Sequence, residues 1–414
     1  MSSEHPAPRG TVGLLRDPTF GPYFAGNLAS NVGSWVHNVA AAVVVFEITG
    51  SAAWTGAVSA ALWAGSMVLQ PYAGAVSDRV DRRRMMIGAQ GFAMACAVAL
   101  TAMSIAAGGA DELPGPLPVV LATLGIGIGL AFSIPAMLAL VPALVEDEEL
   151  EHAVALNSVT FNLARALGPA LAALILLVGD ATIAFAFNAC SYGLLIFVLL
   201  LITPRAIERG EGGDGSVREG LRYVRERKVA VLLLVGTAGV GIAADPVNTL
   251  TPPLAAQLGG SDGLVGAMVS SFGAGAFTAA LVNRALRDRL DSQQATATAG
   301  LALAAGMLTL ALAPAIWMAL LGLYIGGAGF MTAVASINSE LQRFVPEELR
   351  GRVMALWGLA FLGTRPVAAL VDGALADLTS PELAGSAFAA FGLLTVWSAI
   401  RVAASDGRPE PRLA

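Results

Sequence analysis

Gly74-Ala-Val-Ser-Asp78-Arg79-Val-Asp81-Arg82-Arg83-Arg84 is the stretch on which the reading of this chain turns. Its last seven residues hold four arginines and two aspartates, and it lies between two long apolar runs, 54–76 and 85–107. Each run meets the roughly 20 residues that a membrane-spanning helix needs. A short, strongly basic loop between two spans marks a hairpin on the cytoplasmic face, because arginine is not readily moved across a bilayer.

The rest of the composition agrees. Of the 414 residues, 56% are hydrophobic and 13% charged, with a mean hydropathy of +0.70. A soluble domain carries about 25% charged residues, so this is the composition of a polytopic membrane protein. The net charge of −6 carries little information, because in a membrane protein the placement of charge matters more than its sum. Cys96 and Cys190 fall in separate apolar runs and read as small packing residues rather than ligands or a disulfide. Residues 1–18 are polar and hold three prolines, so no cleavable signal peptide is expected.

Hydropathy places twelve spans at about 20–46, 54–76, 85–107, 115–138, 154–177, 181–202, 229–255, 264–283, 295–313, 315–337, 353–376 and 384–403. The fold class expected is therefore all-α and polytopic. The chain has 24 Lys+Arg, of which Lys228 is the sole lysine, and all but Arg165 and Arg365 fall on one side if the N-terminus is cytoplasmic. The opposite loops hold only acids, such as Asp111, Glu112, Asp180, Asp262 and Glu382. By the positive-inside rule both termini are cytoplasmic, in a multi-pass protein of the inner or plasma membrane.

Three segments follow: an N-terminal six-helix bundle at 1–202, a cytoplasmic linker at 203–228 and a C-terminal six-helix bundle at 229–414. In the linker, Gly210-Glu-Gly-Gly-Asp-Gly215 is flexible and Ser216-Val-Arg-Glu219 reads as a capping box. Val217, Leu221 and Val224 recur at helical spacing on a basic segment, which predicts an amphipathic helix on the membrane surface. The two bundles read as repeats. A shift of 210 lays Arg284-Ala-Leu-Arg-Asp288-Arg289-Leu-Asp291 over Gly74 to Asp81, and a shift of 200 lays Arg365 over Arg165. The acidic loops Glu146-Asp-Glu-Glu-Leu150 and Pro346-Glu-Glu-Leu349 are also alike.

The basic loop resembles the signature loop between helices 2 and 3 of the major facilitator superfamily of secondary transporters, and the whole chain looks like a member. Pro142-Ala-Leu-Val, Asn157-x4-Asn162-Leu-Ala-Arg165-Ala-Leu-Gly168-Pro169 and Val345-Pro-Glu-Glu-Leu-Arg350-Gly-Arg352-Val-Met resemble the enterobactin-exporter and macrolide-efflux branch. Three positions depart from the pattern. Asp81 and Arg284 stand where glycine is usual, and the Gly-Pro element of span 5 lacks its paired glycines. The resemblance implies two pseudo-symmetric bundles and a conformational gate of Gly74, Asp78, Arg79, Arg82 and Arg83, with Asp288 and Arg289 as the second-half counterpart. Asp78 is expected at the N-terminus of span 11, where free N–H groups favour an anion. The arginines are expected to anchor the loop and meet the acids of the 4–5 loop. The bland alternative is a topology signal alone.

Two arginines remain, about a dozen residues inside their spans. A charge there is costly, by about 2.5–3.5 kcal/mol on insertion scales, and it faces a cavity or a partner. Arg165 shares a helical face with Phe161, Asn162, Gly168 and Pro169, and Asn157 lies two turns earlier; an anionic substrate group or a carboxylate would pair with it, or it is a purely structural ion pair. Arg365 takes the same argument, with Pro366 placing it at a helix irregularity. Gly168-Pro169 bends its span or simply packs. Proton coupling needs a group that changes protonation inside the bundle. Asp245 in Ala-Ala-Asp245-Pro246-Val-Asn248 is the candidate, in an interrupted helix beside the pathway or as a water-facing cap at the outer end. His37 and Asn38 lie deep enough to line a cavity, although a lone histidine is more often a packed one. Glu47, Glu340 and Asp372 read as residues at the ends of their spans. Phe24, Trp35, Trp63, Phe132, Phe161, Phe272, Trp357 and Phe361 lie within spans and face either a pocket or lipid.

The function these residues point to is a proton-coupled exporter of a small amphipathic compound, such as a siderophore, antibiotic or other natural product. Uptake by facilitation or symport, and lipid flipping, use the same fold and stay open. A membrane enzyme or sensor is disfavoured: there are three histidines and no metal-ligand cluster, no phosphate-binding glycine loop and no soluble catalytic or signalling domain. The partners expected are the substrate, protons and the lipid bilayer, not nucleic acid. No cofactor or metal is expected, and the chain is expected to act as a monomer.

Overall fold

A computed structural model describes residues 10–77, 79–205, 217–287 and 291–405. Asp78, Asp288 and Arg289 of the expected gate, and residues 206–216 of the linker, lie outside the described residues. Among those described, twelve helical segments are long and apolar enough to cross a membrane. The first six spans are Phe20–Thr49, Ala52–Ser77, Arg82–Ala107, Leu117–Leu140, Leu150–Val178 and Ala181–Leu201. Span 7 is built from three pieces, Lys228–Ala243, Pro246–Thr249 and Thr251–Gln257. Spans 8 to 10 are Asp262–Arg287, Ser292–Ala311 and Ile316–Phe344. Span 11 breaks into Glu347–Leu362 and Arg365–Leu378, and span 12 into Pro381–Ala389 and Gly392–Ala403.

The helix ends follow local chemistry. Span 1 stops at Gly50, whose φ of 62° is the left-handed conformation that glycine adopts without strain. Spans 3 and 9 start alike: Asp81 accepts from the Arg84 N–H at 2.8 Å, and Asp291 accepts from the Gln294 N–H at 2.7 Å. Asp81 and Asp291 are related by the shift of 210, so the aspartate that stands in place of glycine in the loop is a helix cap in both repeats. Such a cap contributes about 0.5–2 kcal/mol. The breaks in spans 7 and 11 fall at Pro246 and Pro366, each in the first turn of the piece that follows, where a missing N–H costs nothing.

Spans 1–6 pack among themselves, as do spans 7–12, and the two most extensive crossings between the groups are span 2 with span 11 and span 5 with span 8, with span 7 also meeting spans 1 and 2. Both crossings are tight at the end away from the basic loop, called here the far end. A β-carbon at Gly373 of span 11 would stand 2.9 Å from Ala53 Cα of span 2, and one at Gly56 of span 2 would strike the Ala369 carbonyl. On the second crossing, a β-carbon at Gly266 would stand 2.7 Å from the Pro169 carbonyl oxygen and one at Gly273 2.5 Å from that of Arg165. Toward the basic end spans 2 and 11 part. Span 2 packs on Arg365–Leu378 and scarcely meets Glu347–Leu362. Gly74 of span 2 and Gly351 and Gly358 of span 11 have open space where a β-carbon would stand.

The linker helix, Val217–Glu226, does not simply lie on a surface. Gly220 allows close approach to Arg352 at the start of span 11, Tyr223 Oη donates to the Phe344 carbonyl at 3.3 Å, and Arg352 pairs with Glu219.

Candidate transport site

The breaks in spans 7 and 11 bring three charged residues together. Asp245 heads the piece Pro246–Thr249 and is fully buried; it is not a water-facing cap. Arg365 opens the second piece of span 11 with 3% of its surface exposed, and Asp372, two turns on along the same helix, is fully buried. Asp245 lies within electrostatic reach of both Arg365 and Asp372. Thr249 Oγ1 donates to Asp245 Oδ2 at 3.3 Å. Asp245 Oδ1, both Asp372 oxygens, and Arg365 Nε and Nη1 have no hydrogen-bond partner. The Arg365 guanidinium is instead held over aromatic rings, 4.9 Å from the Trp63 centroid and 5.7 Å from that of Phe361. Asp372, expected at the outer end of its span, is thus part of an interior group in which Asp245 interacts with both Arg365 and this second carboxylate.

Arg165 sits on the other crossing. Its guanidinium lies 5.4 Å from the Trp35 ring centroid and 4.9 Å from that of Phe330. The side chain is partly exposed, and no ion pair reaches it among the described residues. A chain of rings joins the two arginines: Phe272 to Phe330 at 5.4 Å, Phe330 to Phe361 at 5.8 Å, and Phe361 stacked on Trp357 at 5.4 Å. Cation–π contacts of this kind contribute about 0.5–2 kcal/mol each, the larger values where water is excluded. Trp35, Trp63, Phe272, Trp357 and Phe361 therefore face the interior. Phe330 was missed in the sequence, being one apolar residue among many in its span.

The remaining candidates divide. Asn38 belongs with the site: its Nδ2 donates to Asn248 Oδ1 at 3.3 Å, joining spans 1 and 7. Asn157 is buried but accepts from Asn27 Nδ2 at 3.1 Å within the first six spans, and Asn162 Nδ2 donates to the Ser158 carbonyl of its own helix at 2.9 Å. His37 is packed against Phe185, ring centroids 5.3 Å apart, with Nε2 3.1 Å from Thr123 Oγ1. The Thr123 hydroxyl already donates to the Val119 carbonyl, so Nε2 is the donor in that pair. Gly168 presses on span 1, where a β-carbon would stand 3.0 Å from the Val32 carbonyl oxygen, and Pro169 is buried against span 8.

At the basic end Arg79 is exposed. Arg82 Nη1 donates to the Ala139 carbonyl at 3.1 Å, while Arg83 donates to the carbonyls of Leu199 and Leu200. Among the described residues, Arg82 and Arg83 are held by the ends of spans 4 and 6. In the 4–5 loop Glu146 pairs with Arg205 at 2.7 Å. At the far end Asp377 had not stood out among the acidic residues. Its carboxylate accepts from the Ala52 N–H at 2.7 Å, the Ala53 N–H at 3.1 Å and the Ser51 hydroxyl, so an acid on span 11 caps the first turn of span 2.

Twelve spans, two groups of six and a charged centre at their crossings define a secondary transporter of the major facilitator fold. The model of a family described as transmembrane secretion effector matches residues 10–408, and the chain belongs to that family. It is similar to the enterobactin exporter EntS of Escherichia coli O6:H1 and of Shigella boydii serotype 18, 27% identical over 395 residues, which is 92% of this chain and 91% of theirs. In fold it is similar to a bacterial homologue of the human lysosomal transporter Spinster in an inward-facing, unoccupied conformation, with a TM-score of 0.72, 12% identity, and 94% of this chain and 99% of that one covered. It is also similar to the D-xylose–proton symporter, with a TM-score of 0.72, 16% identity and 92% and 97% covered.

Proposed function

We propose that this protein is a proton-coupled exporter of a small amphipathic compound, working by alternating access across the inner membrane. The observation that carries the reading is the Asp245–Arg365–Asp372 group, buried on the crossing of spans 2, 7 and 11. Asp245 is there the carboxylate on which both the Arg365 guanidinium and the second acid, Asp372, act, so a proton arriving at either acid changes how strongly Asp245 holds Arg365. Intramembrane charges of this kind mark ion and proton routes. The bundles 1–202 and 229–414 are the moving parts and 203–228 is the tether between them. The basic end is cytoplasmic, as are both termini, so the conformation described is sealed outside and open inside. In the opposite state the loop carrying Asp78, Arg79, Arg82 and Arg83, with Asp288 and Arg289 on the other half, closes the cytoplasmic end. The exporter relatives support the direction.

The test is proton movement in energised everted vesicles, followed with a pH-sensitive dye while siderophores, macrolides and lipophilic cations are added. Proton release on adding one compound, abolished in Asp245→Asn, is the expected result. Equilibration of a labelled compound or lipid with no proton movement overturns the antiport reading in favour of a facilitator or flippase.

A further inference from the structure

We propose that Arg165 is the seat of the substrate's negative charge, and that the transported compound is a planar aromatic molecule bearing an oxyanion. This rests on the transporter reading and names the substrate class for it. The starting point is an asymmetry between the repeats. The shift of 200 that relates Arg165 to Arg365, and the shift of 210 that relates the spans before them, also lays Asp245 over Trp35. The two halves therefore build the same arrangement twice, an arginine set against a residue of the first span of its half. In the second half that residue is a carboxylate, with Asp372 a second one close by. In the first half it is an indole, 5.4 Å from the guanidinium carbon. The second arginine is neutralised from within the protein and the first is not.

Nothing else in the described structure supplies the missing charge. The charged group that acts on Arg165 is Arg365, of like sign. No N–H of the Arg165 side chain donates a hydrogen bond among the described residues, while Trp35 and Phe330 occupy its π-facing contacts. A guanidinium held by rings keeps its in-plane N–H groups for a planar oxyanion, which it grips with two parallel bonds. The surroundings suit an aromatic body. Trp35, Trp357 and Phe361 are partly exposed, Phe161 is exposed on the helix of Arg165, and Trp357 Nε1 is buried without a partner. A site of aromatic walls with few converging polar groups is the usual make-up of a small-molecule pocket.

The experiment is calorimetric titration of the purified full-length chain in detergent with 1-naphthoate and with 1-naphthylmethanol, the same ring without the charge. The wild-type chain is expected to bind the anion at least about tenfold more tightly, the scale of one charge-assisted hydrogen bond. Arg165→Gln removes that preference, Arg165→Lys keeps part of it, and Trp35→Asp, which gives Arg165 the internal partner that Arg365 has, removes it with the arginine still present. Thermal unfolding of each variant confirms the fold. Equal binding of the two probes, no binding of the naphthoate, or a preference that survives both Arg165→Gln and Trp35→Asp overturns the proposal. The titration uses no gradient, so vesicles without proton movement leave it standing, and indifference to charge here leaves proton-driven export standing.

Discussion

Arg365 and Arg165 look alike in sequence, but burial and partners separate them. Arg365 is enclosed with Asp245 in reach, and Asp245 in turn lies within reach of Asp372, so removing Arg365 leaves two buried carboxylates with no counter-charge among the described residues. Breaking such a group costs about 3–5 kcal/mol. Arg365→Ala is therefore expected to lower the unfolding temperature strongly, and Asp245→Asn or Asp372→Asn in that background to restore part of it. Arg165→Ala forfeits cation–π contacts alone, about 0.5–2 kcal/mol, and is expected to leave the fold standing while transport is lost. Equal thermal losses for the two arginine variants would sink the distinction. Their importance was legible from the sequence because a charge in mid-membrane always has a reason. Their different partners were not, since which ring or acid faces a helix is decided by packing between spans hundreds of residues apart.

Spans 2 and 11 form an antiparallel pair, and an acid holds its far end. At the far end Asp377, near the C-terminus of span 11, holds the N-terminus of span 2 through the N–H groups of Ala52 and Ala53. Losing a cap costs about 0.5–2 kcal/mol, or up to about thirtyfold in an equilibrium. Asp377→Ala is expected to shift the population toward the state open at the far end, read as faster alkylation of a cysteine placed at Ala53, whereas Asp377→Asn retains an accepting oxygen and most of the effect. An unchanged alkylation rate in Asp377→Ala would show that the cap does not hold the seam. The spans themselves, and the breaks at Pro246 and Pro366, were legible because apolar length and proline chemistry are local. Asp377 was not, because its partners lie 324 to 326 residues away, and two of the three are backbone N–H groups that carry no side-chain signal. The same reason hides the carbonyl partners of Arg82 and Arg83.

For the whole molecule, the alternating access proposed above requires the far-end seam to open. Gly56 and Ala369 meet backbone to backbone across it. With Cys96 and Cys190 replaced by serine, Ser51→Cys combined with Asp377→Cys, whose side chains touch across the same seam, is expected to cross-link on oxidation and stop transport, and to recover on reduction. Transport that continues with the cross-link intact would mean that these helices do not separate during the cycle.

Asn38 and Asn248 stand 210 residues apart, which is also the spacing of the repeat, and they hydrogen-bond to each other. One amide carries both a donor and an acceptor, so an asparagine is among the few side chains able to pair with its own mirror position across a twofold axis. The pair therefore marks the axis itself. Replacing either asparagine therefore leaves the other's buried amide short of its partner, so the losses from the two single substitutions are not expected to add.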